Sequence, residues 1–563
     1  MVMMKLSALL AGAATVSAFI SAPIEAYGQR PLRSVAPASR FSCDLPPVLD
    51  PVADGLPSAL ELFSSEEALE RQVKRHQAIV RVPSVSYDDL GAFDEDPRWK
   101  PFYELHDVLK KTYPAVHKYA KLEKINTFGL LYTIQGSDDS LKPVLLMGHQ
   151  DVVPVADAST WTHPPFEAVY DGTWLWGRGA SDDKNSLTAI FSALEALLSR
   201  DDWTPKRTIL LAFGFDEENS GYLGAASIAQ VILKRYGDDS LAIILDEGGL
   251  GIKTYGNALY VLPAVTEKGY FDIWMELDVA GGHSSKPFPH TGIGIISEIV
   301  TALEANPYKA VLTEGGPVHK HMQCQAHYSP EAFPELTRLV NNNDLEGVAQ
   351  FLVKASRETQ FIVQTSQSVD FISGGQKINA MPEQIKLGVN YRVSHHNSME
   401  EVQHNVVKYI DDTVTKYGLT IKAFEGEADY ASYVAKLPAR PRTVSAASDV
   451  DYNGTLILRS GHKSPAAPIS PTTGPIWDIF SGTIQHTFAF ENGTVVPAGE
   501  IMTGNTDTKH YKGLSNHVYR FMPYRFQGEA NIHTVNERVR MDAHMETVRF
   551  YYDFVRNFDA SEV

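Results

Sequence analysis

The sequence has few cysteines, only one long hydrophobic run and no excess of positive charge. Cys43 and Cys324 are the only cysteines among its 563 residues. A fold held together by many disulfides is therefore excluded, while a single bond between these two cysteines remains open. The formal net charge of −18 argues against nucleic acid or an anionic membrane surface as the main partner.

Only the N-terminus carries a stretch of the length that a bilayer requires. Residues 6–22 form a run of apolar and small residues, and a tolerable cleavage site follows it. We predict a signal peptide over residues 1–26, with an uncleaved membrane anchor as the alternative. The glycosylation sequons at Asn453 and Asn492 fit a secretory route to the cell exterior or a vacuole. No other membrane contact is predicted.

The remaining composition is that of a globular protein. Hydrophobic residues make up 44% of the chain and charged residues 21%, as in ordinary soluble domains. The length is too great for one core, so we expect two domains, one inserted in the other. The predicted ranges are a signal peptide or anchor over 1–26, an irregular N-terminal arm over 27–60, a first catalytic part over 61–266, a lid over 267–425 and a second catalytic part over 426–563.

Three apolar segments, with helical segments between them, each end in a histidine or in acidic residues. The segments are 144–147 before His149 and Asp151, 208–215 before Asp216, Glu217 and Glu218, and 241–245 before Asp246. This alternation predicts parallel strands in an α/β domain, and the carboxyl ends of such strands share one sheet edge. We therefore expect these polar side chains to converge on one site.

Each of these polar groups also has an ordinary structural explanation. His149 could be a histidine at an exposed strand end, and the three acids 216–218 could form a solvated turn. Asp182 or Asp183, at the start of a helical pattern, could cap that helix. In an extended chain His149 and Asp151 point the same way, so Asp151 could orient the imidazole and leave its second nitrogen free for a metal.

The pattern changes after Glu267. Residues 271–279 alternate between apolar and polar, which is typical of a sheet with one exposed face. The segments that follow are a helix over 291–304, strands over 368–372 and 385–393, a helix over 399–417 and a strand over 420–424. This β-α-β-β-α-β order predicts an open-faced α+β sandwich inserted in the α/β domain.

Six motifs, taken together and in order, resemble a known family. They are GHQDVVPV, GRGASDDK, FDEENSG, LDEGG, GGHSSKP and NIHTVNE. This order is similar to that of the two-zinc exopeptidases and deacylases, which include carboxypeptidase S, glutamate carboxypeptidase and acetylornithine deacetylase. The resemblance extends from about residue 65 to the C-terminus. It implies a zinc-exopeptidase-like α/β catalytic domain with the sandwich as its lid.

The same resemblance implies five ligands for two Zn²⁺ ions. His149 and Asp246 would hold one ion, Glu218 and His533 the other, and Asp182 would bridge them. A hydroxide shared by the two zincs would be the nucleophile, and the metals would polarise the carbonyl. Glu217 would be the general base, with Asp151 behind His149. His510 is the histidine that we retain as a rival to His533.

Other motif residues would contact the substrate. By resemblance, His283 stabilises the oxyanion, and in related dimers this histidine is often donated by the partner subunit, so a homodimer through the lid is expected. Asn379 and Arg392 match lid positions that contact substrate, and an arginine suits a terminal carboxylate. Gly504 and Asn505 would add backbone contacts to the same carboxylate.

These expectations define the predicted function. The protein would be a zinc-dependent carboxypeptidase that hydrolyses the last peptide bond of short peptides. An N-acyl-amino-acid hydrolase shares the metals, the base and the carboxylate site, so the motifs do not separate the two enzymes. The remote alternative is a non-catalytic zinc-binding relative. The presence of all five ligand types and of Glu217 argues against it.

Overall fold

The structure is a computed structural model that describes residues 41, 43–438, 450–525 and 527–563. The predicted signal peptide or anchor, and the first part of the predicted arm, lie outside the described residues. No helix in the described part of the chain combines the length and the apolar character needed to cross a membrane.

The first part of the chain, up to Glu267, contains six α-helices and ten strands in its described residues. The helices are α1 (Ala59–Phe63), α2 (Glu66–Val80), α3 (Lys100–Thr112), α4 (Pro114–Tyr119), α5 (Lys184–Leu198) and α6 (Ala225–Tyr236). The strands are β1 (Lys121–Ile125), β2 (Gly129–Ile134), β3 (Val144–His149), β4 (Val169–Tyr170), β5 (Trp174–Trp176), β6 (Ile209–Gly214), β7 (Ile243–Asp246), β8 (Ile252–Tyr255), β9 (Ala258–Val261) and β10 (Ala264–Glu267).

The middle part begins with a long strand. Its elements are β11 (Gly269–Asp278), β12 (Gly282–His283), α7 (Gly292–Glu304), α8 (Pro317–Tyr328), α9 (Pro334–Asn341), α10 (Leu345–Ala355), α11 (Arg357–Phe361), β13 (Ser366–Gly374), β14 (Ala380–Met381), β15 (Gln384–Val393), α12 (Met399–Lys416) and β16 (Thr420–Ala423).

The last part of the described chain ends in a long helix. Its elements are α13 (Ala428–Val434), β17 (Thr455–Ser464), α14 (Pro475–Thr487), β18 (Thr494–Pro497), β19 (Glu500–Met502), β20 (Val518–Arg520), β21 (Glu529–Ala530), β22 (Arg538–Arg540) and α15 (Met541–Ala560).

An eight-stranded sheet, in the order β1-β2-β6-β3-β7-β20-β10-β19, forms the centre of the α/β domain. Strand β3 lies between β6 and β7 and is parallel to both. The register pairs His149 with Gly214, so β3 and β6 end at the same level. The predicted convergence of their polar ends at one sheet edge is confirmed.

The apolar run of β3 is explained by burial on both of its faces. Leu146 packs in the large core that includes residues of α5 and α15. Leu145 and Met147 point the other way and pack with residues of α6. A parallel strand covered on both faces has no exposed position that would favour a polar residue.

The lid is a five-stranded sheet in the order β13-β15-β11-β17-β16, and α7 and α12 pack against one face. The β-α-β-β-α-β order from β11 to β16 agrees with the predicted sandwich, and β11 alternates between buried and partly exposed residues. Strand β17 lies between β11 and β16. The lid sheet therefore reaches Ser464, beyond the predicted boundary at residue 425, because β16 pairs with β17 rather than with β11.

Four helices, α8 to α11, lie between α7 and β13 of the lid, and the sequence patterns did not predict them. They enclose a small core of their own, which includes Val318, Leu336 and Leu352. Cys324 of α8 forms a disulfide with Cys43 of the N-terminal arm. The question that the sequence left open is thereby answered, and the bond fastens this helical insertion, residues 317–361, to the arm.

Candidate metal centre and substrate cavity

His149 ends β3 and turns one ring nitrogen toward the site. Its Nδ1–H donates to the backbone carbonyl of Asp151 at 3.0 Å, which leaves Nε2 for the site. Nε2 lies 3.0 Å from Oδ1 of Asp182. The expected partner of the ring was the Asp151 carboxylate, but that group is farther away, with its Oδ1 at 3.4 Å. The orienting acceptor is therefore mainly a backbone carbonyl.

The carboxylate of Asp151 instead holds the acidic turn that follows β6. It is buried and accepts the backbone N–H groups of Glu217 at 3.2 Å and Glu218 at 3.1 Å. Because one carboxylate anchors two consecutive N–H groups, the side chains of Glu217 and Glu218 start from a fixed backbone. Asp151 thus links the end of β3 to the end of β6.

Asp182 lies between two histidines. Its Oδ1 is 3.0 Å from Nε2 of His149, and its Oδ2 is 3.0 Å from Nε2 of His533. The His533 ring also lies 3.1 Å from Oε1 of Glu218. Among the described residues, His149, Asp182 and Glu218 form a group whose ligand atoms all lie within 4.8 Å of one another. This group could hold a metal ion.

His533 reaches the group from the loop between β21 and β22. Its side chain is 51% exposed, and its backbone has a positive φ of 60°. The rival residue, His510, donates its Nε2–H to the carbonyl of Ser220 at 2.8 Å. The geometry therefore favours His533 over His510 as a ligand.

Asp246 ends β7 and is buried, but it is not one of the three grouped residues. Its Oδ1 accepts the backbone N–H of Glu247 at 2.9 Å, while Oδ2 has no hydrogen-bond partner among the described residues. A buried carboxylate oxygen without a partner is costly unless a cation satisfies it. Burial raises the pKa of Asp246 to about 6, which reflects the same cost.

The electrostatics of the remaining groups fit a cation site. Burial raises the pKa of Glu217 well above its usual range, and neighbouring Asp507, Glu218 and Asp182 add to the shift. Burial alone would raise the pKa of Asp182, but hydrogen bonds from His149 and His533 lower it. Carboxylates this crowded repel one another unless positive charge is brought among them.

Asp183 does not cap the helix that it precedes, although it occupies the N-cap position of α5. Its side chain makes no capping hydrogen bond and accepts the backbone N–H of His149 at 3.2 Å instead. The peptide bond between Asp182 and Asp183 is cis. The expectation of an N-cap role for Asp183 is therefore wrong, because the buried carboxylate faces β3 instead.

Glu537 contributes to the site and was not singled out from the sequence. Its Oε1 accepts the backbone N–H groups of Ser181 and Asp182, each at 3.1 Å. Its Oε2 accepts a hydrogen bond of 2.6 Å from Arg178, and both side chains are buried. The only sequence signal was its place at the end of the NIHTVNE motif, four residues after His533.

Two of the expected substrate residues meet at the boundary between lid and catalytic domain. The Arg392 guanidinium donates to Oδ1 of Asn505 at 2.9 Å and lies over the ring of Tyr270 at 4.4 Å. Asn505 also donates to the carbonyl of Lys268 at 2.9 Å. The Asn505 side chain therefore joins Arg392 to the backbone of Lys268.

The other two lid residues lie on an exposed ribbon. Strand β12 pairs with β14, and the backbone N–H of Ser284 donates to the carbonyl of Asn379 at 3.2 Å. The ring of His283 is exposed and lies 2.8 Å from the hydroxyl of Ser285. Within the described residues of one chain, these contacts keep His283 and Asn379 together and do not join them to the metal-ligand group.

A cavity of about 570 Å³ lies beside the group, and Asp182 and Glu247 are among the residues that line it. Gly504, which the resemblance assigns to the substrate carboxylate, also lines this cavity. The volume is in the range of small-molecule sites.

Comparison with known proteins identifies the family. The model of Peptidase family M20/M25/M40 matches residues 145–557. The chain belongs to this family. Carboxypeptidase S from Saccharomyces cerevisiae is 36% identical over 548 residues, which cover 94% of this chain and 91% of that protein. The mouse N-fatty-acyl-amino acid synthase/hydrolase PM20D1 is 30% identical over 506 residues, which cover 88% and 89%.

Solved structures support the fold of this M20/M25/M40 family member. The dipeptidase Dug1p from Saccharomyces cerevisiae has a TM-score of 0.60 at 14% identity, with 90% of this chain and 99% of that chain covered. Human carnosine dipeptidase 1 has a TM-score of 0.58 at 14% identity, with 89% and 100% covered. Family and relatives confirm the predicted class, a metal-dependent carboxypeptidase that hydrolyses peptide bonds.

Proposed function

We propose that the protein is a two-zinc carboxypeptidase that removes the C-terminal residue of short peptides. The observation that carries the proposal is the Asp182 carboxylate, which lies 3.0 Å from His149 on one side and 3.0 Å from His533 on the other. Each oxygen of one carboxylate faces one imidazole. This arrangement suits an acid that bridges two cations.

The donor set fits two zinc ions. His149 and Asp246 would hold one ion, and Glu218 and His533 the other, with Asp182 shared. Imidazole nitrogens and carboxylate oxygens are the usual Zn²⁺ ligands of catalytic sites. The unpartnered Oδ2 of Asp246 offers a free donor atom. When bound, such a pair of cations supplies an activated water and polarises the scissile carbonyl.

Glu217 would move the proton. Its backbone is held in place, because the Asp151 carboxylate accepts the N–H groups of Glu217 and Glu218. Its carboxyl group is buried beside the proposed ligand Glu218, and burial raises its pKa. It would take the proton of the attacking water and pass it to the leaving amine.

Arg392 and Asn505 would bind the C-terminal carboxylate of the substrate, with help from Gly504. The Arg392 side chain is held by Asn505 and by the ring of Tyr270, so little of its freedom is left to lose on binding. A guanidinium binds a carboxylate through two parallel hydrogen bonds. This requirement would restrict the enzyme to substrates with a free terminal carboxylate.

A homodimer through the lid would bring in His283 and Asn379. Strand β13 is an edge of the lid sheet, and Ile372 and Ile378 near it are 54% and 98% exposed. An exposed apolar edge strand is unfavourable in a monomer and readily pairs with a second copy. The ribbon that carries His283 and Asn379 belongs to the same lid and would approach the partner's metal site.

We infer a secretory route from two features of the structure. The disulfide between Cys43 and Cys324 is a bond that persists in oxidising compartments. Both sequon asparagines, Asn453 and Asn492, are exposed and are accessible for glycosylation. A signal peptide or anchor over residues 1–26, with an extracellular or vacuolar destination, agrees with both features.

A second candidate is an N-acyl-amino-acid hydrolase, supported by the 30% identity to mouse PM20D1 over most of both chains. One substrate screen separates the candidates. The zinc-loaded protein would be incubated with dipeptides that carry free or amidated C-termini and with N-acyl amino acids. Hydrolysis of free-acid peptides only supports the carboxypeptidase, and hydrolysis of N-acyl amino acids only supports the second candidate. Cleavage of amidated peptides at an equal rate contradicts both.

A further inference from the structure

We propose that Glu267 is a positioning residue for the reaction. It holds the loop of residues 503–505, which we call the carboxylate loop, in the place where Asn505 meets Arg392. The inference rests on the proposed function, in which Arg392 and Asn505 bind the terminal carboxylate of the substrate. Glu267 itself would touch neither the substrate nor the metals and would act through Asn505.

Glu267 lies where the catalytic domain passes into the lid. It is the last residue of β10, and β11 of the lid sheet begins at Gly269. The chain returns from the lid at the same place, since the backbone N–H of Ala467 donates to the Glu267 carbonyl at 3.0 Å. Both crossings between the domains therefore meet at this residue.

The carboxylate loop starts and ends at Glu267. Strand β19 is parallel to β10, and the register pairs its last residue, Met502, with Glu267. Residues 503–505 leave the sheet there, and the chain comes back to Glu267 at Thr506. The backbone N–H and the hydroxyl of Thr506 donate to Oε1 of Glu267, at 2.7 Å and 2.8 Å. Glu267 thus closes the loop.

A buried ion pair fixes the other oxygen of the Glu267 carboxylate. Oε2 lies 3.3 Å from Nη2 of Arg520, and Glu267 and Arg520 are 1% and 2% exposed. The Arg520 guanidinium also donates to the Thr508 hydroxyl at 2.7 Å. Turning the Glu267 carboxylate would leave a buried charge unpaired, which is costly. Its orientation, and with it the position of Thr506, is therefore fixed.

The residue after Thr506 fits against the acidic turn by shape. The Asp507 carboxyl group is buried, and neither of its oxygens has a hydrogen-bond partner among the described residues. A Cβ at Gly214 or at Gly221 would collide with these oxygens, so the group occupies the space that two absent side chains leave. Asp507 contributes no side-chain hydrogen bond to the end of the loop, which leaves that task to Glu267.

The carboxylate loop in turn holds the lid arginine. The side chain of Asn505 donates to the carbonyl of Lys268, the residue after Glu267, and accepts from Arg392. A guanidinium binds a carboxylate through two parallel hydrogen bonds, and such groups have to be held within about 0.5 Å of the productive geometry. A loop released at Thr506 would let Asn505 move, and the support of Arg392 would be lost.

Loss of this support should weaken substrate binding and leave the chemistry intact. The reaction does not change the terminal carboxylate, so this group is bound equally in the ground state and in the transition state. Removing such an interaction raises KM and leaves kcat unchanged. The zinc content should also stay the same, because neither Thr506 nor Glu267 is a proposed ligand.

The test removes one hydroxyl group. Thr506→Val keeps the shape and the backbone N–H but loses the hydroxyl donor to Glu267, and Thr506→Ser keeps it. KM and kcat are measured with the zinc-loaded full chain on N-acetyl-Phe-Leu and N-dodecanoyl-leucine, which share the leucine carboxylate. Thr506→Val should raise KM about tenfold, since a buried charged group loses a donor, with kcat and zinc content unchanged. Thr506→Ser should have the KM of the wild type.

Further variants separate positioning from a general structural role. Glu267→Gln removes the charge that pairs with Arg520 and should raise KM in the same way. Thermal unfolding shows whether each variant is folded, and the Thr506 variants decide the question if Glu267→Gln is not. Thr547→Val removes a buried hydroxyl that donates to a carbonyl within α15 and should leave KM unchanged.

A double variant tests the route through Asn505. In the Asn505→Ala background, Thr506→Val should raise KM no further, because a residue that acts through Asn505 has no effect once that side chain is gone. Additive effects of the two substitutions would overturn the proposal.

The outcomes separate this proposal from the proposed function. No hydrolysis of any free-acid substrate by the wild type overturns the proposed function and the role of Glu267 with it. With an active wild type, an unchanged KM in Thr506→Val overturns only the role of Glu267, and so does a loss of kcat or of zinc in place of a rise in KM. Equal effects of Thr506→Val and Thr547→Val also overturn it, because they show only a structural role.

Discussion

Glu537 holds the backbone of Asp182 in place across 355 residues of sequence. One oxygen of its carboxylate accepts the N–H groups of Ser181 and Asp182, and the other accepts a hydrogen bond from Arg178. The loop that carries His533 ends at Glu537. One buried side chain therefore joins the backbone of Asp182 to the end of the loop that carries His533.

Glu537→Gln should weaken metal binding without removing a ligand. The amide keeps one acceptor oxygen but presents a donor where Glu537 now accepts, and it loses the charge that pairs with Arg178. Residues that orient ligands typically contribute 10- to 100-fold to metal affinity, and we expect a loss of about that size in competition with a zinc chelator. Asp542→Asn, which disrupts an exposed pair with Arg540, is the control. Unchanged zinc affinity would remove Glu537 from this role.

Glu217→Gln should abolish turnover and leave the zinc content unchanged. The amide cannot accept a proton, and loss of a general base typically costs about 10²- to 10⁴-fold in rate. Metal analysis and kcat on a free-acid dipeptide measure the two effects separately. The comparison is Glu218→Gln, which should lose zinc as well because Glu218 is a proposed ligand. A Glu217→Gln enzyme with near-normal kcat contradicts the assignment.

His533→Ala should lower the zinc stoichiometry of the protein. The ring lies 3.0 Å from Asp182 and 3.1 Å from Glu218, so its removal takes one of the few nitrogen donors from the site. His510→Ala is the matched variant, since His510 bonds to the carbonyl of Ser220. If the second variant loses zinc and the first does not, the ligand assignment is wrong.

The protein should lose stability below neutral pH through His76, which is fully buried and stacks on the ring of His544. Burial lowers the pKa of His76 to about 4, whereas an unfolded histidine titrates near 6.5. As the pH falls from 6.5 to 4, His76 is protonated in the unfolded chain but stays neutral in the folded chain. The free energy of unfolding therefore decreases. The loss from this group is about 2 kcal/mol at pH 5.

Urea unfolding at pH 7.5 and pH 5 measures this effect. His76→Gln removes the titrating group and keeps a donor for the carbonyl of Ala180, which His76 now contacts at 2.9 Å. Between the two pH values, the free energy of unfolding of the variant should therefore fall by about 2 kcal/mol less than that of the wild type. His327→Gln changes an exposed histidine and should leave the difference as it is. An unchanged difference in His76→Gln contradicts the prediction.

Ile372→Lys should shift a lid-mediated dimer toward monomer. Ile372 is 54% exposed on the edge strand β13, and a charge there opposes burial against a second copy. Analytical ultracentrifugation over a range of protein concentrations measures the change. Ile469→Lys, at a site that is 49% exposed outside the lid, should have no effect. A monomeric wild type at all concentrations would contradict the proposed dimer.

Local patterns in the sequence were enough to predict the main elements of the fold. The apolar runs before His149, Asp216 and Asp246 predicted parallel strands, because residues buried on both faces of a sheet leave a continuous hydrophobic signal. The alternation after Glu267 predicted the lid, because a sheet with one exposed face alternates apolar and polar residues. Candidate ligands could be placed because they follow the strands directly or lie in short motifs.

The contacts that join distant segments could not be predicted from local patterns and are seen only in the folded chain. Three such contacts depend on the tertiary fold and leave no local pattern in the sequence. They are the disulfide between Cys43 and Cys324, the hydrogen bond from the Asp182 N–H to Glu537, and the position of β17 between β11 and β16. The helical insertion could not be predicted from local patterns either, since its helices pack on one another and on strands that are remote in sequence. The cavity beside Asp182 exists only because these separated segments meet there.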